Sequence, residues 1–190
     1  MTGVILSGGK CSRMGANKAF LTVEGERLID RTVRLFRKIF DEVIIVTTAP
    51  EDYLDQDAAI VTDILPEKRA LGGIYTGLFW ARSEQAFFAA CDMPFLNRDF
   101  IEYMVGLAAG QDIVVPLCPE GPQALHAIYS RRCLPVIRGL IDRNKLKITG
   151  LYPGHTIRQI PIDTIRSFDP EARMFINVNT PEDLRNLPAC

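Results

Sequence analysis

At 190 residues, with 47% hydrophobic and 24% charged side chains, the chain can bury a core without disulfide or metal staples and has the composition of an ordinary globular protein. Its formal net charge of -1 creates no overall field toward DNA, RNA or anionic lipid, so neither a nucleic acid nor a membrane is expected as partner, whereas a local basic patch at a phosphate site is. Five scattered cysteines (Cys11, Cys91, Cys118, Cys133 and Cys190) form no Cys-x-x-Cys pair, no apolar run reaches membrane-spanning length, and Met1 runs almost directly into the first strand, which together argue against a disulfide framework, a zinc site, a membrane span and a signal peptide and fit a cytoplasmic protein.

In chain order, Val4-Ile5-Leu6 reads as a buried strand that breaks into a glycine-rich loop from Ser7 to Lys18. Residues 28–40 have helical spacing, with Leu28, Ile29, Val33, Phe36 and Phe40 toward one side and Arg and Lys on the other. Val43 to Val46 is a second strand and residues 59–61 a short third. A helix over 72–82, a strand over 86–91, a helix over 99–109 and a strand over 113–115 follow. After Pro116 the pattern loosens. Residues 124–129 read as a strand, 134–143 as a helix, and 156–162 as an extended segment that Pro161 assigns to a sheet edge. Residues 174–178 read as a late strand, and Thr180-Pro181-Glu182-Asp183 as a helix start with Thr180 as cap and Pro181 in the first helical position. Continuous apolar strands alternating with amphipathic helices predict an α/β fold: three layers, a mostly parallel sheet with helices on both faces. With no repeat, low-complexity tract or linker, one domain over 1–190 is expected, divided into a part of about 1–116 and a looser part of about 117–190.

The loop Ser7-Gly8-Gly9-Lys10-Cys11-Ser12-Arg13-Met14-Gly15-Ala16-Asn17-Lys18 follows a buried strand, where open α/β sheets bind ligands. Glycines let backbone N–H groups face an anion, Arg13 offers a forked donor for phosphate oxygens, and Lys18 a compact charge. Lys18 follows Asn17 and precedes Ala19, so this is no P-loop, and no Gly-x-Gly-x-x-Gly dinucleotide fingerprint occurs. A surface turn with solvated cations is the plain alternative. Downstream, the apolar strand Phe87-Phe88-Ala89-Ala90-Cys91 ends in Asp92 before Pro94, a carboxylate placed to face the same crevice and suited to Mg²⁺, which takes one or two carboxylates plus substrate phosphates and water. An aspartate opening a turn reads the same way, as does Asp63 after its strand. Cys91 is expected to pack in the core.

Leu6-Ser7-Gly8-Gly9-x-x-Ser12-Arg13-Met14-Gly15-x-x-Lys18-Ala19-x-Leu21 resembles the signature of nucleotidyltransferases that join an NTP to a phosphorylated acceptor, a Rossmann-like, GT-A-like fold. Within them the chain is similar to the molybdenum cofactor guanylyltransferases. Three further blocks carry the likeness: Leu71-Gly72-Gly73-Ile74-Tyr75-x-Gly77-Leu78, with Arg69-Ala70 where Gly-Pro is common; Cys91-Asp92-Met93-Pro94; and Asn177-Val178-Asn179-Thr180-Pro181-Glu182-Asp183-Leu184. Ser7 stands where that family usually has Ala. The CTP-using relatives carry Ala-Gly where this chain has Gly8-Gly9, so the likeness favours GTP.

The resemblance implies that Leu6, Ser7, Gly8, Gly9, Lys18, Asp63, Gly72 and Asp92 hold the nucleotide in the first part of the chain, that Arg13, Lys18 and Asp92 are catalytic, and that Asp92 holds Mg²⁺. Alternation along the strand puts Asn177 and Asn179 on one face, and the likeness places them on the acceptor side, in the second part. The implied reaction transfers GMP from GTP to the terminal phosphate of molybdenum-molybdopterin and releases pyrophosphate; molybdoenzymes or cofactor-insertion proteins are the further partners it suggests. CTP or another phosphorylated acceptor, and a nucleotide-binding protein without turnover, are the rival readings. His126 is either a contact to an acceptor phosphate or a structural histidine, and His155 reads as exposed.

Overall fold

The structure is a computed structural model that describes residues 1–8, 18–178 and 183. β1 (Thr2–Ser7) is buried along its whole length, as a central strand covered on both faces must be. β2 (Thr22–Val23) and β3 (Glu26–Arg27) form a small antiparallel hairpin around Glu24 and Gly25. The hairpin leads into α1 (Leu28–Phe36), which turns its apolar stripe inward. β4 (Glu42–Thr47), β5 (Ala59–Thr62), α2 (Arg69–Trp80) and β6 (Gln85–Ala90) follow. α3 (Arg98–Gly106) begins where the Asn97 side chain accepts the Phe100 amide at 2.9 Å. Then come β7 (Ile113–Cys118), β8 (Gly121–Pro122), β9 (His126–Ser130), α4 (Leu134–Asp142), β10 (Ile157–Pro161) and α5 (Ile162–Phe168).

Among the described residues these strands make an eight-stranded sheet in the order β10-β7-β9-β6-β1-β4-β5, with β8 paired to β7. β6, β1, β4 and β5 run parallel, with Val4 opposite both Ile44 and Phe88. β9 is antiparallel to both β6 and β7, and β10 is a parallel edge strand on β7, the place expected from Pro161. Consecutive side chains point to opposite faces and divide the core in two. Ile5, Phe87 and Ile128 pack with α1 and α3 through Phe36, Phe100 and Met104; Val4, Phe88 and Ala127 pack with α2 and α4 through Leu71, Ile74 and Ile137. Burying each large apolar side chain contributes roughly 1.5–3 kcal/mol. The α/β, mostly parallel, three-layer expectation holds, and no described helix is long and apolar enough to cross a membrane.

Three local readings change. α2 begins at Arg69, not at residue 72, after a 3-10 turn over Pro66–Lys68. α1 ends at Phe36, and a turn carries the chain to Phe40. Residues 174–178 are not a strand: Arg173–Phe175 is a 3-10 turn, and residues 176–178 join no ladder among the described residues. Met174 and Val178 are buried, which accounts for the strand-like apolar pattern. The helix start read at Thr180 lies outside the described residues apart from Asp183.

Candidate active site

The parallel strands β1, β4, β5 and β6 end along one edge of the sheet, where the chain crosses from strand to loop and backbone groups are free to meet a ligand. A cavity of about 200 Å³ opens there. One wall is the end of β1, with Leu6, Ser7 and Gly8, and the start of α2, with Arg69, Ala70 and Gly73. The other carries Ala90, Cys91 and Asp92 from the end of β6, together with Lys18, Leu125 and Asn177. Two main-chain bonds prolong the sheet into this rim. The Cys91 amide donates to the Leu6 carbonyl at 3.1 Å, and the Asp63 amide to the Thr47 carbonyl at 2.7 Å, so each acid follows directly from a fixed strand end.

Asp63 is buried. Its Oδ1 accepts the Thr76 hydroxyl at 2.8 Å and the Leu65 amide at 3.0 Å, which is the turn-forming role. Its Oδ2 lies toward the cavity: a Cβ on Gly8 would sit 3.8 Å from it and one on Gly73 3.9 Å. The carboxylate therefore shapes its own loop with one oxygen and leaves the other facing the cavity.

Asp92 is three-quarters or more buried, and its Oδ2 lies 4.0 Å from Lys18 Nζ. Its Oδ1 is buried with no hydrogen-bond partner among the described residues. Burial raises the carboxyl pKa above the usual aspartate value, against the pull of Lys18 and of its own backbone. A buried carboxylate oxygen without a donor suits a cation. Among the described residues there is no group of three or more His, Cys, Asp or Glu that could hold a metal.

Of the residues singled out in the sequence, Leu6, Ser7, Gly8, Lys18, Asp63, Asp92 and Asn177 line this cavity. Gly9, Arg13 and Asn179 lie outside the described residues. Gly72 does not line it: a Cβ there would come within 2.2 Å of the Leu65 carbonyl oxygen, so this glycine serves the close approach of the preceding turn. The next residue, Gly73, turned about 100° around the helix, forms the wall instead. Cys91 is half-buried: it packs against the core, as expected, and also borders the cavity.

His126 is fully buried away from the cavity, with ring centroids at 5.0 Å from Phe87, 5.1 Å from Phe175 and 5.8 Å from Phe100. Neither ring nitrogen has a hydrogen-bond partner among the described residues, and burial holds its pKa down to about 3. It is a neutral packing residue, the structural one of its two readings. His155 is half-buried, with Nδ1 2.6 Å from the Leu151 carbonyl oxygen.

Sequence reasoning missed Tyr53. Its hydroxyl and the Ser7 hydroxyl are 2.5 Å apart, and its ring packs 5.2 Å from Phe20 in the turn that begins at Lys18. Tyr53 thus ties the end of β1 to the turn carrying the cavity's lysine, and no motif in its own neighbourhood signals this.

The sequence matches the MobA-like NTP transferase domain over residues 3–152. It is 38% identical to the molybdenum cofactor guanylyltransferase of Desulfosudis oleivorans over all of this chain and 95% of that one. It is 33% identical to the molybdenum cofactor guanylyltransferase of Syntrophotalea carbinolica, over 95% of this chain and 87% of the other. The crystal structure of molybdopterin-guanine dinucleotide biosynthesis protein A from Archaeoglobus fulgidus superposes with a TM-score of 0.82 at 26% identity, over 97% of this chain and 95% of that one.

Proposed function

The chain belongs to the MobA-like NTP transferase family, and on that premise we propose that it transfers GMP from GTP to the terminal phosphate of molybdenum-molybdopterin, forming the guanine dinucleotide cofactor and pyrophosphate. The observation that supports it most is the meeting of Gly8, Asp63, Lys18 and Asp92 around one cavity at the strand ends.

In this reading the acceptor phosphate oxygen attacks the α-phosphorus of GTP, a P–O bond forms there, and the bond to the β-phosphate oxygen breaks. The nucleophile is already an anion, so no general base is needed, and the protein acts by positioning and charge neutralisation. Gly8 and Gly73 leave space for the nucleoside, and Asp63 Oδ2 is an acceptor for its polar hydrogens. Lys18 neutralises phosphate charge. Asp92 would hold Mg²⁺, which when bound supplies charge neutralisation on the triphosphate. Asn177 faces the acceptor, with its amide available to a phosphate or a pterin edge. Arg13 and Gly9 of the first loop, and Asn179, are assigned to the same nucleotide and acceptor contacts on the strength of the motif alone.

Incubation with GTP, Mg²⁺ and molybdenum-molybdopterin, followed by mass analysis of the pterin, tests the proposal. The guanine dinucleotide and stoichiometric pyrophosphate are the expected products. A cytosine dinucleotide formed faster from CTP would overturn the base assignment, and nucleotide binding without pyrophosphate release would overturn the enzyme.

A further inference from the structure

Arg69 occupies a backbone conformation that its side chain disfavours. Its φ is 55° and ψ -151°, a region populated essentially by glycine because a Cβ crowds the backbone. The same short turn uses glycine at position 72, where a Cβ would strike the Leu65 carbonyl. Yet the position whose dihedrals call for glycine, and where the resembling sequences commonly have one, holds an arginine.

No contact among the described residues compensates for this. The Arg69 side chain is exposed, borders the cavity, and makes no hydrogen bond or ion pair among the described residues. Strain of this kind clusters at ligand-binding and active sites. The position in the cavity indicates which part of the ligand. Lys18 and Asp92 mark the phosphate and metal side at the end of β6. Arg69 stands at the start of α2, on the wall that includes Gly73 and the buried Asp63. An anionic carboxylate there repels the triphosphate and leaves the uncharged base as the neighbour.

We propose that Arg69 is a specificity-determining residue that reads the guanine base, its guanidinium fork donating to O6 and N7. Guanine presents two acceptors on that edge, whereas adenine presents one acceptor and an amino donor, so the fork selects guanine. The inference rests on the guanylyl reading above and deepens it. The helix start is in this way supplied with a base-reading cation in place of a conformationally free residue.

Calorimetric titration of the full chain with Mg²⁺ and nucleotide, alongside thermal melts, tests this with R69G and R69K. R69G relieves the backbone and is expected to melt a few degrees higher while binding GTP about tenfold or more weaker and discriminating less against ATP. The wild type is expected to bind 7-deaza-GTP, which lacks the N7 acceptor, more weakly than GTP, and R69G to bind the two alike. R69K keeps the charge but loses the fork, and is expected to resemble R69G. Unchanged GTP affinity in R69G, a lower melting temperature in that variant, full affinity in R69K, or an equal 7-deaza-GTP loss in wild type and R69G each overturns the proposal. Absence of GTP binding by the wild type would instead bring down the guanylyl reading, and the role of Arg69 with it.

Discussion

The Val178 amide donates to the Asp92 carbonyl at 2.8 Å, so the residue that presents the candidate metal carboxylate also tethers the segment bearing Asn177. Asp92 and Asn177, on one wall of the cavity, are thereby held in register by one main-chain bond. Asn177→Ala should leave that bond intact and remove only the side-chain amide. We expect the acceptor KM to rise about tenfold, the effect of losing one hydrogen bond to a charged group, with GTP affinity unchanged. Steady-state kinetics with each substrate varied in turn separates the two, and an equal loss for GTP would remove Asn177 from the acceptor side.

Asp92→Asn should abolish turnover, by about 10²-fold or more, and at the same time stabilise the fold. Burial raises the Asp92 pKa above its unfolded value, so the folded state holds its proton more tightly. The destabilisation is therefore complete above the folded pKa and disappears as pH falls to the ordinary aspartate range. The melting-temperature gain of the variant should be present at neutral pH and vanish in acid. By the same sign, Mg²⁺ affinity of the wild type should decline at a pH higher than an exposed aspartate would give.

Gly73 and Gly77 lie one helical turn apart on α2 and should fail differently. A Cβ at Gly77 would come within 2.7 Å of both Val4 and Phe88. Gly77→Ala should cost about 1–3 kcal/mol through overpacking and lower the melting temperature by roughly 2–4 °C per kcal/mol. At Gly73 the nearest atom is the end of the flexible Leu6 side chain at 3.1 Å, with the cavity beyond. Gly73→Ala should melt close to wild type but raise the GTP KM. Thermal melts and nucleotide titration of the pair check the contrast.

His126 predicts acid sensitivity. Its folded pKa of about 3 lies well below the unfolded value, so the unfolded chain gains a proton first as pH falls. Its contribution is intact above about pH 6.5 and is lost below it, at up to about 1.4 kcal/mol per pH unit, until pH approaches 3. His126→Phe should flatten that part of the denaturation profile and leave kcat at neutral pH unchanged. A parallel profile for variant and wild type would show that some other group governs the acid limb.

The central strands were legible because burial on both faces demands uninterrupted apolar runs, as in Val4-Ile5-Leu6 and Phe87-Phe88-Ala89. The start of α2 was not, since Arg69-Ala70-Leu71 offers no capping side chain and the helix is entered from a 3-10 turn. Residues 174–178 misled for a different reason: Met174 and Val178 are buried against the core without any partner strand. Asp63, Lys18 and Asp92 could be named from motifs because the two acids follow apolar strands and the lysine closes the glycine-rich loop. Tyr53 and the conformation of Arg69 could not, because a contact with Ser7 across 46 positions and a pair of dihedral angles leave no local trace in the residues themselves.

β9 reaches the sheet late in the chain yet takes its place between β6 and β7. During synthesis, β6 must therefore wait with an open hydrogen-bonding edge until His126–Ser130 has left the ribosome, and β7 waits beside it without an anchor. A nascent or truncated chain ending near residue 118 would expose two apolar edges at once, each able to recruit a strand from another molecule. Self-association of shortened forms is thus expected from the placement of a five-residue strand.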